Sequence, residues 1–306
     1  MNHLSFFWLP ENEEALFEGL ESEFAQLVEQ SIKSGKITLP PIPEVVLKIQ
    51  KLSIRQDTCI SDIADCLIED PSLSAVVIRV ANSVIFNRRN ITCNDIQTAI
   101  SRLGIYRVRD IVTAQSIEQL KNGTNLSKKC HKILVNSAAR SRELAATMFL
   151  VTQSIQAYSP GEYNNLEIEK ALLVGLLADI GLFCLVNEYH FYLERGNYLN
   201  EQLAIRIFES RCPIVSELVL NHWKFDKDYI EVATNEERNT SRHEINYLDI
   251  ARIAHHLLMF RKQDQAIDDH HVEVNAAGAN AMFELSNLTT KEFNKRLADV
   301  MNSTGL

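Results

Sequence analysis

The chain has 306 residues, of which 46% are apolar and 23% charged, and its 31 Lys and Arg against 40 Asp and Glu give a net charge of −9. This length and composition indicate a globular protein with one large domain or two modest ones, and exclude a long disordered region. Nucleic acid is a disfavoured partner, because the summed negative field repels a polyanion.

The cysteines and the apolar runs indicate the compartment. No two of the six cysteines have the Cys-x-x-Cys spacing of a zinc or redox site, so we expect reduced thiols. We find no signal peptide and no apolar run of the roughly 18 residues needed to span a bilayer. The sequence therefore predicts a cytoplasmic protein without a membrane partner.

The first predicted elements are separated by a proline-rich segment. A helix is expected from Pro10 to just before Gly35, because apolar residues recur at helical spacing and glycine suits a helix end. Three prolines between Leu39 and Pro43 should hold the chain extended, and Glu44 should begin a short helix. This segment is the clearest boundary in the sequence.

Capping residues predict the next helices. Ser61 is expected to cap a helix that runs to Glu69, and Asp70 with a following proline should start another through Ala81. Thr92 and Asp95 resemble a capping pair for a helix that ends at Leu103, and a further helix should carry the chain to about residue 120. A polar segment at 121–123 closes this half.

The second half is also predicted to be helical. A long helix is expected over 126–155, followed by a strongly apolar stretch at 171–185 that should form a central pair of core helices. Further helices are predicted at 198–209, 214–222, 226–233 and 243–262, with a surface loop at 235–242. A linker from residue 264 to 275 should lead to a last helix or two ending near Met301. The fold class is therefore all-α.

Several segments together resemble the HDOD family, the HD-related output domains of bacterial signal transduction, from about Leu39 to Leu258. The resemblance implies a multi-helical HD-like bundle with an N-terminal helical subdomain. It divides the chain into an N-terminal helix (1–35), the N-terminal subdomain (36–123), a degenerate HD-like subdomain (124–262) and a C-terminal linker and helix (263–306). The segments are Leu39-Pro-Pro-Ile-Pro-Glu44, Ile68-Glu-Asp-Pro-Ser-Leu73, Arg79-Val-Ala-Asn-Ser83, Ala99-Ile-Ser-Arg-Leu-Gly104 and Ala171-Leu-Leu-Val-Gly-Leu-Leu-Ala-Asp-Ile-Gly181.

The same resemblance locates the positions that hold a metal ion in catalytic HD proteins. Ala178 replaces the histidine of the His-Asp motif, and Asp179 remains. Asn136 and Arg252 are the expected equivalents of two other ligands, and neither an amide nor a guanidinium is a good ligand for a transition metal. The resemblance therefore implies a degenerate site with no metal, no cofactor and no catalytic residue.

Two roles are open for Asp179. In one hypothesis it forms an internal ion pair with Arg252, whose guanidinium occupies the place of the lost metal. In the other, Asp179 caps the helix that follows it.

Histidine pairs offer no better candidate for a metal site. His255 with His256, and His270 with His271, are adjacent, and neighbouring helical residues diverge by about 100°. We interpret them as surface or boundary residues. The sequence also contains no Gly-x-Ser-x-Gly elbow, no recognisable catalytic cysteine and no glycine-rich phosphate loop.

The resemblance implies a non-catalytic regulatory module that binds another signalling protein or a small ligand such as a nucleotide. The main alternative is a metal-dependent phosphohydrolase acting on a nucleotide or a cyclic dinucleotide, with Asp179, Asp249 and histidines as ligands. A third reading, a regulator associated with nucleic acid, requires a concentrated basic face and is opposed by the net charge.

Overall fold

The computed structural model describes residues 23–39, 43–83, 86–87, 90–122, 126–163, 165–236, 245–269 and 272–304. The predicted start of the first helix at Pro10, the prolines at 40 and 41, most of the loop predicted at 235–242, and His270 with His271 lie outside the described residues.

The all-α prediction is confirmed, since every regular element in the described ranges is helical. A short 3₁₀ helix spans Gln265–Asp269. The α-helices are α1 Glu23–Lys33, α2 Glu44–Ile54, α3 Ile60–Ile68, α4 Pro71–Ala81, α5 Ile96–Leu103, α6 Ile105–Asn122, α7 Lys128–Tyr158, α8 Ile168–Leu177, α9 Gly181–Glu194, α10 Glu201–His222, α11 Lys227–Thr234, α12 Tyr247–Lys262, α13 Ala276–Ser286 and α14 Thr290–Thr304.

The helices form two compact units. The small unit contains residues 41–120 and 289–306, and the large unit contains residues 1–40 and 121–288. The structure thus groups α1 with the second half of the chain and α14 with the first half, whereas the sequence treated the two termini as separate segments. The four-segment division remains a prediction about evolutionary domains.

The small unit is organised by caps and by one pinned loop. The Asp70 carboxylate accepts hydrogen bonds from the backbone N–H groups of Ser72 and Leu73, so α4 begins at Pro71 as predicted. Asn82 then pairs with the backbone of Cys93 in both directions, at 2.7 and 2.9 Å. These bonds fix the loop between α4 and α5 over the apolar core of the unit.

Helix α7 is the centre of the large unit and packs against α8, α9, α12 and α13. All residues from Leu144 to Thr152 are buried, so this part of the helix has no solvent face. The hydroxyls of Thr147 and Thr152 donate to the carbonyls of Glu143 and Met148, which satisfies their polar atoms without a partner from another helix.

Two glycines allow the helices of the large unit to approach closely. A Cβ at Gly175 would lie 2.6 Å from Cα of Ala145 on α7, and a Cβ at Gly181 would lie 2.4 Å from the backbone nitrogen of Ser216 on α10. Both distances are shorter than any real carbon contact, and the blocking atoms are backbone atoms that cannot turn aside. Glycine is therefore required at both ends of the α8–α9 corner.

Three local predictions are wrong. Helix α5 is capped by Asp95, whose carboxylate accepts from the backbone N–H of Thr98, and not by Thr92. Helix α3 is capped by Cys59, whose backbone N–H donates to Asp62, and not by Ser61. Helix α10 continues through Pro213, where the sequence predicted a break. Buried residues on both sides of the proline, among them Phe208 and Val219, keep the helix packed despite its missing backbone donor.

The expectation that no apolar stretch is long enough for a bilayer also needs correction. Residues Ile168–Glu194, which comprise α8 and α9, pass that test by length and composition. However, 89% of the apolar window is buried inside the protein. The stretch is the core helix pair that the sequence predicted.

We expect Gly175→Ala and Gly181→Ala each to lower the free energy of unfolding by about 3 kcal/mol, because the added methyl must push two helix backbones apart. Gly278→Ala is the control, since its nearest obstacle, Cδ1 of Ile253 at 2.9 Å, is the movable end of a side chain. Urea unfolding at neutral pH measures all three. Equal stability of the three variants would contradict the close-approach argument.

Candidate functional site

The candidate site is the corner between α8 and α9, where Asp179 is only 6% exposed. The chain keeps right-handed helical backbone angles at Ala178 and Ile180, so the corner is a short turn between two nearly continuous helices. The carbonyl of Asp179 accepts from the N–H of Leu182 at 2.9 Å. A buried acidic side chain in this position needs hydrogen-bond donors from neighbouring helices.

Helix α7 supplies two of those donors. Ser137 donates its hydroxyl to Oδ2 of Asp179 in a short hydrogen bond, and Ser141, one turn later, shares its hydroxyl proton between Oδ1 at 2.8 Å and the carbonyl of Ser137 at 2.9 Å. Both serines are buried. The two carboxylate oxygens are thus each held by a neutral hydroxyl from the same helix face.

The sequence analysis placed the site residue of α7 one position too early, at Asn136. Asn136 is exposed, whereas Ser137 lies on the buried face and reaches Asp179. Because adjacent helical residues point about 100° apart, a shift of one residue separates a solvent position from a site position. The sequence analysis missed Ser137 and Ser141, although two hydroxyl residues four apart on an apolar helix face were a usable signal.

The proposed ion pair between Asp179 and Arg252 is wrong. Arg252 donates from Nε to Oδ1 of Asn235 at 2.9 Å and from Nη2 to the carbonyl of the same residue at 3.1 Å. Asn235 ends α11 in a left-handed conformation, with φ of 55°. Arg252 therefore fixes the end of α11, and its charge is not used at the corner.

The alternative, in which Asp179 caps α9, is wrong as well. The cap position of α9 is Ile180, and it has no side-chain cap bond. Instead, Gly181 donates its backbone N–H to the hydroxyl of Ser216 at 2.9 Å, so α10 satisfies the start of α9.

The donor set at this corner does not fit the metal ion that the HD resemblance implies. Ala178 contributes a methyl group, and the oxygens of Asp179 accept from hydroxyl donors. Asp249, the second ligand of the alternative reading, accepts from the N–H of Asn246 in a capping box of α12. Within the described ranges, no group of three or more His, Cys, Asp and Glu side chains could hold a metal ion together.

The histidines on α12 differ from the expectation in part. His255 is buried, at 7% exposed, so its description as a surface or boundary residue is wrong. His256 is half-buried, its Nδ1 has no hydrogen-bond partner among the described residues, and burial lowers its pKa. His255 therefore belongs to the interior of the large unit, and His256 lies at its boundary as expected.

A charged cluster that the sequence analysis missed ties α8 to α11 and α12. Nζ of Lys170 lies 2.9 Å from Asp226 and 2.6 Å from Asp228, and it also lies over the rings of Tyr229 and Tyr247. Burial lowers the pKa of Lys170, but hydrogen bonds to the two aspartates outweigh it and raise the pKa overall. Lys170 and the two aspartates therefore form a salt-bridge cluster that connects α8 with α11, and the contact with Tyr247 connects it to α12.

Comparison with known proteins supplies the family. A family model for the HDOD domain matches residues 39–239. No protein with a curated functional description is a significant match to the chain.

Solved structures share the fold. One, provisionally named a metal-dependent phosphohydrolase from Shewanella amazonensis SB2B, has a TM-score of 0.73 at 19% identity, over 92% of this chain and 97% of that one. An HDOD domain protein from Geobacter sulfurreducens has a TM-score of 0.51 at 17% identity, over 92% and 93%. A protein from Marinobacter aquaeolei VT8, provisionally named for signal transduction, also has 0.51, at 15% identity, over 92% of this chain and 65% of that one.

We expect the double variant Ser137→Ala, Ser141→Ala to lose about 2–4 kcal/mol of unfolding free energy, because it removes two hydrogen bonds to a buried carboxylate. Asn136→Ala is the matched control, and as an exposed substitution it should change stability by less than about 0.5 kcal/mol. Urea unfolding of the three proteins tests the assignment. If Asn136→Ala were the more damaging change, the assigned helix face would be wrong.

We expect His256 to make the protein less stable in acid. Its pKa in the folded state lies below the ordinary value of 6.5, so the unfolded chain takes up the proton first and stability falls as the pH drops through this range. His256→Gln should therefore lose less stability than the wild type between about pH 7.5 and about pH 5.5. His222→Gln is the control for the loss of a histidine at an exposed position. Identical pH profiles for wild type and His256→Gln would contradict this.

Proposed function

Because the chain belongs to the HDOD family, we propose that it is a non-catalytic regulatory module of bacterial signal transduction that binds another signalling protein or a small ligand. The observation that carries the proposal is the pairing of Asp179 with Ser137 and Ser141. In this account the hydroxyls take the place of a metal ion, and the scaffold remains folded without one.

Two further observations support the regulatory reading. Ala178 is buried and offers no lone pair beside Asp179, while Arg252 and Asp249 are committed to the ends of helices. The Marinobacter protein of the same fold is named for signal transduction.

The second candidate is a metal-dependent phosphohydrolase acting on a nucleotide or cyclic dinucleotide. The name of the Shewanella protein with a TM-score of 0.73 favours it. An identity of 19% is evidence for a shared fold only. In this chain, the helices place the candidate metal ligands apart from one another. Hydrolysis of a nucleotide or cyclic dinucleotide that requires a metal ion would favour this second candidate.

The proposal includes a cytoplasmic location without a membrane or nucleic-acid partner. The burial of the α8–α9 pair and the net charge of −9 support it. The partner is expected to be a protein, with a nucleotide as the alternative small ligand.

We expect elemental analysis to find far less than one metal ion per chain after the protein, purified without chelators, is dialysed against manganese, iron and zinc. Asp179→Asn is the matched variant, because it keeps the shape of the side chain and removes its charge. The same low retention in both proteins supports the proposal. Retention of about one ion per chain that disappears in Asp179→Asn would contradict it, as would turnover of a cyclic dinucleotide with manganese present.

A further inference from the structure

One stretch of the chain departs sharply from its overall charge. The 24 residues from Gln119 to Arg142 contain six Lys and Arg and no Asp or Glu, although the whole chain has a net charge of −9. Most of this stretch lies in the first half of α7, the helix whose later turns are buried on every side. Solubility alone does not explain why positive charge is concentrated on the central helix.

In the structure, these basic residues differ in burial. Burial lowers the pKa of Arg140, and its guanidinium interacts with Glu143, Asp264 and Glu209 inside the large unit. The three lysines at the start of α7 instead lie on an exposed face, together with three uncharged residues that continue it at spacings of three and four. We call this face the α7 outer stripe. It consists of Lys128, Lys129, Lys132, Val135, Asn136 and Ala139.

The lysines of the α7 outer stripe contact no acidic side chain among the residues that the structure describes. Some other lysines of the large unit are paired, for example Lys33 with Glu29 at 2.7 Å and Lys262 with Glu143 at 2.5 Å. In the described part of the chain, the three stripe lysines make no hydrogen bond or ion pair. They also stand in the first turns of α7, where positive charge opposes the helix dipole. Their placement therefore does not stabilise the fold.

We propose that the α7 outer stripe is a docking surface for an acidic amphipathic helix of a partner protein. Glutamates or aspartates of that helix would lie over the three lysines, and small apolar side chains would contact Val135 and Ala139. The proposal rests on the proposed regulatory function and gives the chemistry of its partner. Opposite charge would speed the encounter, and the apolar end would fix the register.

Two other classes of anionic partner fit the stripe less well. Nucleic acid is repelled at long range by the net charge, and the stripe contains no aromatic side chain on which a base could stack. A membrane-binding helix inserts large apolar residues beside its lysines, and Val135 and Ala139 are too small for that role.

The test uses a fluorescein-labelled peptide of about 20 residues that forms a helix with glutamates on one face and alanine and leucine beside them. Fluorescence anisotropy measures its binding to the full chain. Lys128→Glu, Lys129→Glu, Lys132→Glu should weaken binding by about tenfold or more. This triple variant should still fold, because glutamate suits the first turns of a helix better than lysine.

The matched control reverses three scattered lysines that are also exposed, Lys51→Glu, Lys227→Glu and Lys295→Glu, with the same change in net charge. It should bind the peptide within about twofold of the wild type. The inference is overturned if both triple variants lose binding alike, or if neither does. It is also overturned if duplex DNA or phosphatidylserine vesicles bind the wild type more tightly than the peptide does.

A second comparison separates this inference from the proposed function. Affinity capture from the native cells is made with the wild type and with both triple variants. A partner that is lost only with the stripe variant supports both claims if its own acidic helix displaces the labelled peptide from the wild type. A partner that all three capture overturns the stripe and leaves the regulatory function standing. Metal-dependent hydrolysis with no captured partner overturns the function, while the peptide result still decides what the stripe binds.

Discussion

The structure of the large unit depends on how closely four helices can approach at one corner. Gly175 brings α8 onto α7, and Gly181 brings α9 onto α10, with backbone atoms in the positions that a Cβ would need. This close packing encloses residues 178–180 between the two glycines. Any polar group in the corner is cut off from water and must find its partners on the neighbouring helices.

That constraint makes Asp179 the decisive residue. In a catalytic HD protein, metal ions and imidazoles compensate a carboxylate at this place; here two serine hydroxyls from α7 donate to it. The fold can therefore keep its acidic corner without metal chemistry. The same helix that supplies the serines presents the exposed lysines of the α7 outer stripe, so one element joins the enclosed corner to the surface that we propose for a partner.

Local signals in the sequence predicted most of the fold, and long-range packing accounts for the failures. The Asp70 cap and the apolar corner helices depend on neighbouring residues, so their elements were predicted correctly. Pro213 normally predicts a helix break, but burial on both sides overrides that preference. Asn136 was chosen in place of Ser137 because the rotation of α7 about its axis is set by packing against neighbouring helices, which the sequence alone does not show. Helix α11 was predicted, but the contact between Arg252 and Asn235 at its end depends on how α11 packs against α12, which the sequence alone does not show.

The most direct test is a crystal structure of the protein grown with manganese, with anomalous data that locate the ion. We expect no anomalous peak within about 2.5 Å of the Asp179 carboxylate. We also expect the hydroxyls of Ser137 and Ser141 to lie within hydrogen-bond distance of that carboxylate. A peak at that distance, with the serine hydroxyls turned away or bound to the ion, would contradict the central claim that hydroxyls have replaced the metal.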